Sequence, residues 1–441
     1  MLEQNWRGSY TKPARDLYPH QWNWDSGFIA VGYAHYQPSR AMDELFSLFR
    51  GQWKDGMLPH IVFDREEEGY FPGPEFWRTD LSPAAPAVPT SGITNPPLHA
   101  WVALHIYRHL PNAEAREFLA RMFPKLLALH RYLYEKRDPH REGLAFIRHP
   151  WESGTDNSPA WDEALARIEV DEAAVPLYQR RDVEFVPGNQ RPTREDYDRY
   201  VFLLDLFKRT RYDEAAIAAE CPFLIQDPLF NSLLSASNEA LLEIGQILGQ
   251  DVGEVKEWHA QTARALNDVL WNEEKRLYAH FDLVSRRSIG AATSSGFAPF
   301  FAAVPDARQV SRMLDLLDAE EYSGAAGRCF LLPSYKLGGA AFDPVKYWRG
   351  PVWVNLNWLI CRGLERMGFL DRAAALFRDT LALLERYGFH EYFSPFRSET
   401  DGPTGGFGSQ DFSWSAALCI DLLQQPPGGA LPGDGSVSGV S

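Results

Sequence analysis

Two stretches of this 441-residue chain bring carboxylates and aromatic rings together in the way that cleavage of a sugar requires. HPWESGTDNSP, from His149 to Pro159, sets Glu152 and Asp156 beside Trp151 in a segment broken by Gly154 and two prolines. Such punctuation reads as loop, and loops carried on a rigid scaffold are where reacting groups tend to sit. Far downstream, FHEYFSPF (Phe389 to Phe396) carries Glu391 among four aromatic side chains. Glycosidic hydrolysis uses two carboxyl groups flanking the scissile bond, and the apolar C–H face of a sugar calls for rings beside them. The residues alone leave a structural alternative open, in which Asp156 caps a helix and Glu391 joins a surface ion pair.

Further clusters repeat that composition. LYPHQWNWDSGF gathers Tyr18, Trp22, Trp24 and Asp25, which fits either a helix start capped by Asp25 or an indole wall with a hydroxyl acceptor. EGYFPGPEFW (Glu68 to Trp77), VKYWRGPVWVNLNW (Val345 to Trp358) and GGFGSQDFSW (Gly405 to Trp414) are of the same kind. In the second, Tyr347, Trp348 and Trp353 flank Arg349-Gly350-Pro351, and Pro351 is expected to open a helix. TSGITNPPLHAW adds Asn95 directly before another helix. One such cluster is ordinary core, but four at loop-to-helix junctions point to a pocket. No G-x-G-x-x-G, phosphate-binding G-x-x-x-x-G-K-[ST], H-E-x-x-H or G-x-S-x-G motif is present, and His60, His149 and His390 lack metal-ligand spacing. The expected chemistry therefore uses no metal and no organic cofactor.

These groups need a scaffold, and helical periodicity dominates the chain. Leu119, Met122, Leu126, Leu129 and Leu133 follow the three-four rhythm, as do Val255, Trp258, Thr262, Leu266 and Val269. RAAALFRDTLALLERYG ends at Gly388, where a left-handed cap is expected, and Asp227-Pro228 caps a run to Leu248. About eleven or twelve helices are expected between Asp25 and Gln424, with AFIRH and RLYAHFDL giving hairpins at most. This describes an all-α body from residues 1 to 424, a ring of antiparallel helix pairs with a loop-built pocket at one end. The polar, proline-containing stretch 163–196 reads as a lid inserted beside the Asp156 loop, and 425–441 as a flexible tail.

Composition narrows the partners. A formal charge of −15, without any Lys/Arg cluster, repels phosphate backbones and excludes nucleic acid. No apolar run reaches membrane-spanning length and no signal-like segment opens the chain, so a membrane is not expected either. Cys221, Cys329, Cys361 and Cys419 form no C-x-x-C pair and read as buried free thiols, which places the protein in the cytoplasm. A small glycoside is the expected partner, and self-association is left open.

Taken together, WNWDSGF, TNPPLHAW, ESGTDNSP, YWRGPVWVNLNW, HEYFSP and FGSQDFSW resemble glycoside hydrolase family 63. Within it, they are similar to the bacterial branch acting on mannosylglycerate and glucosylglycerate. The resemblance runs from about Tyr18 to Leu423. It implies a toroid of six helix pairs and an inverting enzyme with Asp156 as acid and Glu391 as base. It further implies that Trp24, Asp25, Trp151, Trp353 and Gln410 line the sugar pocket. Tyr18, Tyr70, Asn95, Arg191, Tyr197, Tyr347 and Trp348 are then on the leaving-group side. Asn95 stands where such sequences commonly carry Gln, one methylene longer. Inversion requires carboxyl groups roughly 6.5–9.5 Å apart, leaving room for a water. A trehalase-like hydrolase of a neutral disaccharide and a non-catalytic sugar binder remain as alternatives.

Overall fold

The computed structural model describes residues 1–170, 175–324 and 327–429. Within them lie eleven helices of ten residues or more. In chain order these are α1 (Asn23–Ala34), α2 (Pro38–Leu48), α3 (His99–Arg108), α4 (Asn112–Lys136), α5 (Arg194–Arg209) and α6 (Pro228–Leu248). They continue as α7 (Gly253–Ala265), α8 (Ala307–Leu317), α9 (Val354–Arg366), α10 (Leu370–Tyr387) and α11 (Ser413–Gln424). The periodicity behind them is visible in α4, whose Leu119, Met122, Leu126, Leu129 and Leu133 form one buried face.

Six elements touch in a closed cycle: α1, α3, α6, the Ser294–Phe300 3₁₀ segment, α9 and α11, which returns to α1. Several of these members are strongly apolar. All twelve residues of α1 and all seven of the 3₁₀ segment are buried, as expected of helices packed on every side. Around them α2 packs on α1 and α3, α4 on α3 and α6, α7 on α6, and α10 on α9 and α11. The connections α1–α2, α3–α4 and α9–α10 are three residues long and α6–α7 is four, which forces each outer helix to run back along its partner. One buried apolar cluster extends from Leu2 to Leu422. No described helix is long and apolar enough to cross a membrane.

Several local expectations are corrected. Asp25 is not a cap, because α1 begins at Asn23 and puts Asp25 in its first turn. Val269 is exposed and Leu270 is buried in its place, since Leu266–Leu270 is a π turn that delays the buried face by one residue. Gly388 has φ 79 and ψ −163, a glycine conformation but not the left-handed helical one. Pro351 opens no helix; Val352 pairs with Pro333 and Phe393, so α9 waits until Val354. Glu391 lies on a strand, His390–Phe393, paired antiparallel with Gly406–Gln410. AFIRH gives one strand to a four-stranded sheet, and RLYAHFDL gives one strand to that sheet and another to a two-stranded hairpin, Trp271–Asn272 with Leu277–Tyr278. The chain also stays packed beyond Gln424. Pro427 is buried in a 3₁₀ turn against α9 and α10, and the remainder of the expected tail, like part of the 163–196 stretch, lies outside the described residues.

The ring closes tightly where α11 meets α1. A Cβ added at Gly32 would stand 2.5 Å from both the Cα and the carbonyl oxygen of Ala417, so backbone would have to move. Gly32→Ala should therefore lose about 1–3 kcal/mol of stability despite its better helix propensity, measured as a lower denaturation midpoint. An unchanged or higher midpoint would mean the two helices are not this close.

Candidate active site

The Asp156 loop is held from behind by a buried ion pair. Glu152, fully buried, accepts from Arg137 Nη1 and Nη2 at 2.9 and 2.8 Å, from the Arg148 amide at 2.7 Å and from the Thr94 amide at 3.1 Å. Burial alone would raise its carboxyl, but the Arg137 charge and hydrogen bonds outweigh this and hold it at about 2. Glu152 is thus structural, and of the two carboxylates in HPWESGTDNSP only Asp156 faces the cavity. The loop is locked further by the Trp161 indole on the Thr155 carbonyl (2.8 Å) and the Tyr200 hydroxyl on the Asp156 carbonyl (2.7 Å). Gly154 has φ 73 and lies so close under the Trp24 indole that a Cβ would meet the ring at 2.5 Å. Asp156 caps no helix, since the short 3₁₀ helices on either side are capped by His149 and Ser158.

Burial pushes the Asp156 carboxyl up to about 7, with the Glu391 charge adding to the rise and the Arg191 charge opposing it. Asp156 therefore keeps a proton at pH values where an exposed aspartate has lost it. Glu391 has the opposite setting. It is 1% exposed, and its Oε1 accepts from the Tyr18 hydroxyl at 2.7 Å. Its Oε2 accepts from Arg191 Nη2 at 2.9 Å and from the Ser409 amide at 3.1 Å. Three donors aimed at two oxygens suit an ionised carboxylate, which only accepts. Glu391 is accordingly no surface ion pair, and Arg191, 3% exposed, is its buried partner.

Arg191 comes from the 163–196 stretch, where no sequence pattern marks it. Its Nη1 donates to Tyr18 Oη at 2.9 Å and its guanidinium lies 4.6 Å over the Tyr347 ring. Its Nε is buried without a partner. Tyr347 has φ 43, rare for an aromatic residue, with its carbonyl bonded to the Trp353 indole and its hydroxyl 3.3 Å from that of Tyr18. Trp348 and Trp353 stack at 3.7 Å, making a rigid aromatic floor. Burial, then the Glu391 and Asp156 charges, push Asp25 well above the usual carboxylate range.

All these groups line one cavity of about 100 Å³. One water occupies roughly 10–15 Å³ on this scale, so the space is of the size of a small sugar. Tyr18, Trp24, Asp25, Tyr70, Asn95, Trp151, Asp156, Arg191, Tyr197, Tyr347, Trp348, Trp353 and Glu391 are all on its wall. Gln410 is not. It pairs with His390 after a register shift in the hairpin, which leaves it exposed outside the cavity. Asn95 reaches the wall with its amide already given to the Trp151 carbonyl (2.8 Å) and its Oδ1 without a partner. Trp22, His60, Asp182, Phe412 and Trp414 also line the cavity and were not singled out as site residues in the sequence. Trp22, Phe412 and Trp414 lie inside the aromatic clusters, whereas nothing around His60 or Asp182 signals a site.

Comparison with known proteins identifies the family. Residues 18–415 match the model of the mannosylglycerate hydrolase MGH1-like glycoside hydrolase domain. The mannosylglycerate hydrolase of Rubrobacter radiotolerans is 44% identical over 425 residues, covering 96% of this chain and 95% of that one. The glucosylglycerate hydrolase of Mycolicibacterium hassiacum is 36% identical, covering 96% of both. The crystal structure of the family 63 mannosylglycerate hydrolase of Thermus thermophilus, in complex with Tris and D-glycerate, superposes with a TM-score of 0.88. It is 44% identical, over 96% of this chain and 97% of that one. Neutral trehalase of Saccharomyces cerevisiae, 16% identical with a TM-score of 0.58, is similar in fold alone. The chain belongs to the MGH1-like glycoside hydrolases of family 63.

Proposed function

We propose that this enzyme hydrolyses 2-O-α-D-mannosyl-D-glycerate, and glucosylglycerate as a second substrate, with inversion at the anomeric carbon. One observation carries the reading: the carboxyls of Asp156 and Glu391 and the guanidinium of Arg191 converge in a single small cavity walled by aromatic rings. Asp156, kept protonated by burial, gives its proton to the glycosidic oxygen as the bond to the sugar breaks. Glu391 takes a proton from the water that attacks the anomeric carbon on the opposite face. The two proton transfers balance, so the chemistry calls for no metal or organic cofactor.

The sugar is taken to sit among Trp24, Asp25, Trp151 and Trp353, with the leaving group toward Tyr18, Tyr70, Asn95, Arg191, Tyr197, Tyr347 and Trp348. Arg191 then has two tasks, steadying Glu391 and meeting the glycerate carboxylate. Its unpartnered Nε supports the second task, for which a neutral disaccharide offers hydroxyl acceptors but no opposite charge. Membership of a hydrolase family argues against a non-catalytic sugar binder. The closed cycle of inner helices with outer partners supports a toroid of six helix pairs, read as one catalytic domain over 1–424. The 163–196 stretch is read as a lid that closes over bound glycoside. Four free thiols fit a reducing compartment, which supports a cytoplasmic location.

Asp156→Asn and Glu391→Gln should each lower kcat by about 10²–10⁴-fold with the fold intact, and NMR of the wild-type reaction should show the inverted anomer first. A retained anomer would reject the mechanism.

The raised carboxyl of Asp156 sets the alkaline side of the profile: kcat/KM should fall as pH rises through about 7. By linkage, between the ordinary aspartate value and about 7 the unfolded chain has released a proton that the folded state keeps, so stability falls with pH across that window and levels off above it. Asp156→Asn should then be more stable than wild type above about pH 7, a gain read from denaturation midpoints and absent at about pH 4.

Arg191→Ala should slow both mannosylglycerate and uncharged mannosylglycerol, because Glu391 loses its partner. The charged substrate should lose at least about tenfold more in kcat/KM, since a charge-assisted hydrogen bond contributes about 1.5–3 kcal/mol. Equal losses would leave Arg191 only its Glu391 task, and faster turnover of trehalose than of either glycerate glycoside would reject the substrate.

A further inference from the structure

The spacing of His60, His149 and His390 excludes a metal pair among them, but HIYRH, from His105 to His109, sets two imidazoles at i and i+4 on one helical face. The fold adds a third. His35 follows the last residue of α1, and its ligand nitrogen lies within 4.8 Å of those of His105 and His109, with all three atoms mutually within that distance.

The surroundings are those of a prepared coordination site. The His109 Nδ1 lies 2.9 Å from the His105 carbonyl. His105 is 7% exposed, yet its Nε2 has no hydrogen-bond partner. His35 Nε2 lies 2.8 Å from Asp421 Oδ1, which is 3.9 Å from His105 Nε2. Asp421 is itself fixed by the Trp358 indole at 2.6 Å and Arg362 Nη2 at 2.7 Å. A ligating histidine ordinarily has its other ring nitrogen tied to a carbonyl or carboxylate, which sets tautomer and orientation. His35 and His109 are the residues following α1 and α3, and the negative ends of those two helices favour a cation there.

We propose that His35, His105 and His109 bind a divalent transition-metal ion, zinc first, with Asp421 as the adjoining carboxylate and solvent at the open position. Tetrahedral zinc with nitrogens at about 2.0–2.1 Å holds them about 3.3–3.5 Å apart, so the rings close by at most about 1.5 Å. His109 is half-buried, whereas the His35 side chain is only 7% exposed, so the shift is assigned mainly to His109. The ion ties α1 and α3 together at the end of the ring away from the cavity. Trp24 and Asp25 sit at the start of α1 and His35 beyond its end, a helix length of roughly 16 Å away. The site is therefore structural and independent of the hydrolytic reading.

The test uses the full-length chain without an affinity tag, stripped with EDTA and titrated with zinc, and separately with cobalt as a visible reporter. The expected result is one zinc per chain, tetrahedral cobalt bands, and a higher Tm with zinc. His109→Gln, at a half-buried position where folding is not at risk, should weaken zinc binding by more than the roughly 10–100-fold of losing an outer hydrogen-bond partner. His105→Gln should behave alike where it folds. Hydrolysis by the zinc-free protein should continue. A purely hydrogen-bonded network around Asp421 takes up no zinc, and that outcome overturns the proposal. Equal affinity in wild type and His109→Gln overturns it too, by assigning the metal to the acidic surface.

Discussion

The Glu152–Arg137 pair is the constraint on which the active site depends. Neither side chain has measurable exposure, and a buried charge left unpaired costs several kcal/mol. The pair is therefore bound to form, and it carries its neighbours with it. Glu152 also receives the amides of Thr94 and Arg148, so one carboxylate joins the loop before α3 to the loop of Asp156. Asn95, one residue along, then reaches the Trp151 carbonyl. Arg148 and Arg137 continue outward to Glu214, whose other oxygen takes the Tyr132 hydroxyl. Two irregular loops, which propensity alone would leave free, are thereby given one geometry.

The cavity shows how one fold sets similar acids to different tasks. At Asp156 desolvation outweighs the opposing charge of Arg191, so burial favours its neutral form. Glu391 has a guanidinium, a phenol and an amide aimed at it. The difference comes from the neighbours, since the side chains differ by one methylene. The inner helices add to this. α1, α9 and α11 all begin at the cavity, with Trp24 and Asp25, Trp353, and Trp414 at or near their first turns. Their positive ends face a site containing four carboxyl groups, and their negative ends gather at the far side, where His35 and Asp421 meet.

Much of this was legible in the sequence. The three-four spacing of Leu119 to Leu133 specified an amphipathic helix, and the short gaps after Ala34, Arg108 and Arg366 specified antiparallel partners. The motifs around Asp156 and Glu391 singled out two carboxyl groups that share one cavity, and their aromatic company supplies much of its wall. Those features are local, set by side-chain type and by the helical period. Local patterning misjudged Val269, because a π turn shifts the phase, and Pro351, because Val352 is drawn into pairing with Phe393.

What only the tertiary structure decided is which groups meet across long separations. Glu152 and Asp156 look alike in sequence, and nothing within the loop says that Arg137 will claim one and leave the other to the cavity. Arg191 sits in an unpatterned stretch, and its place beside Glu391 depends on a contact spanning 200 residues. His35 reaches His105 and His109 only because α1 lies against α3. The sequence by itself determined the helices, the candidate acids and the sugar-binding character. Packing of the ring determined the surroundings of each carboxyl group and the meeting of the three histidines, because desolvation and pairing arise only when distant segments share a buried volume.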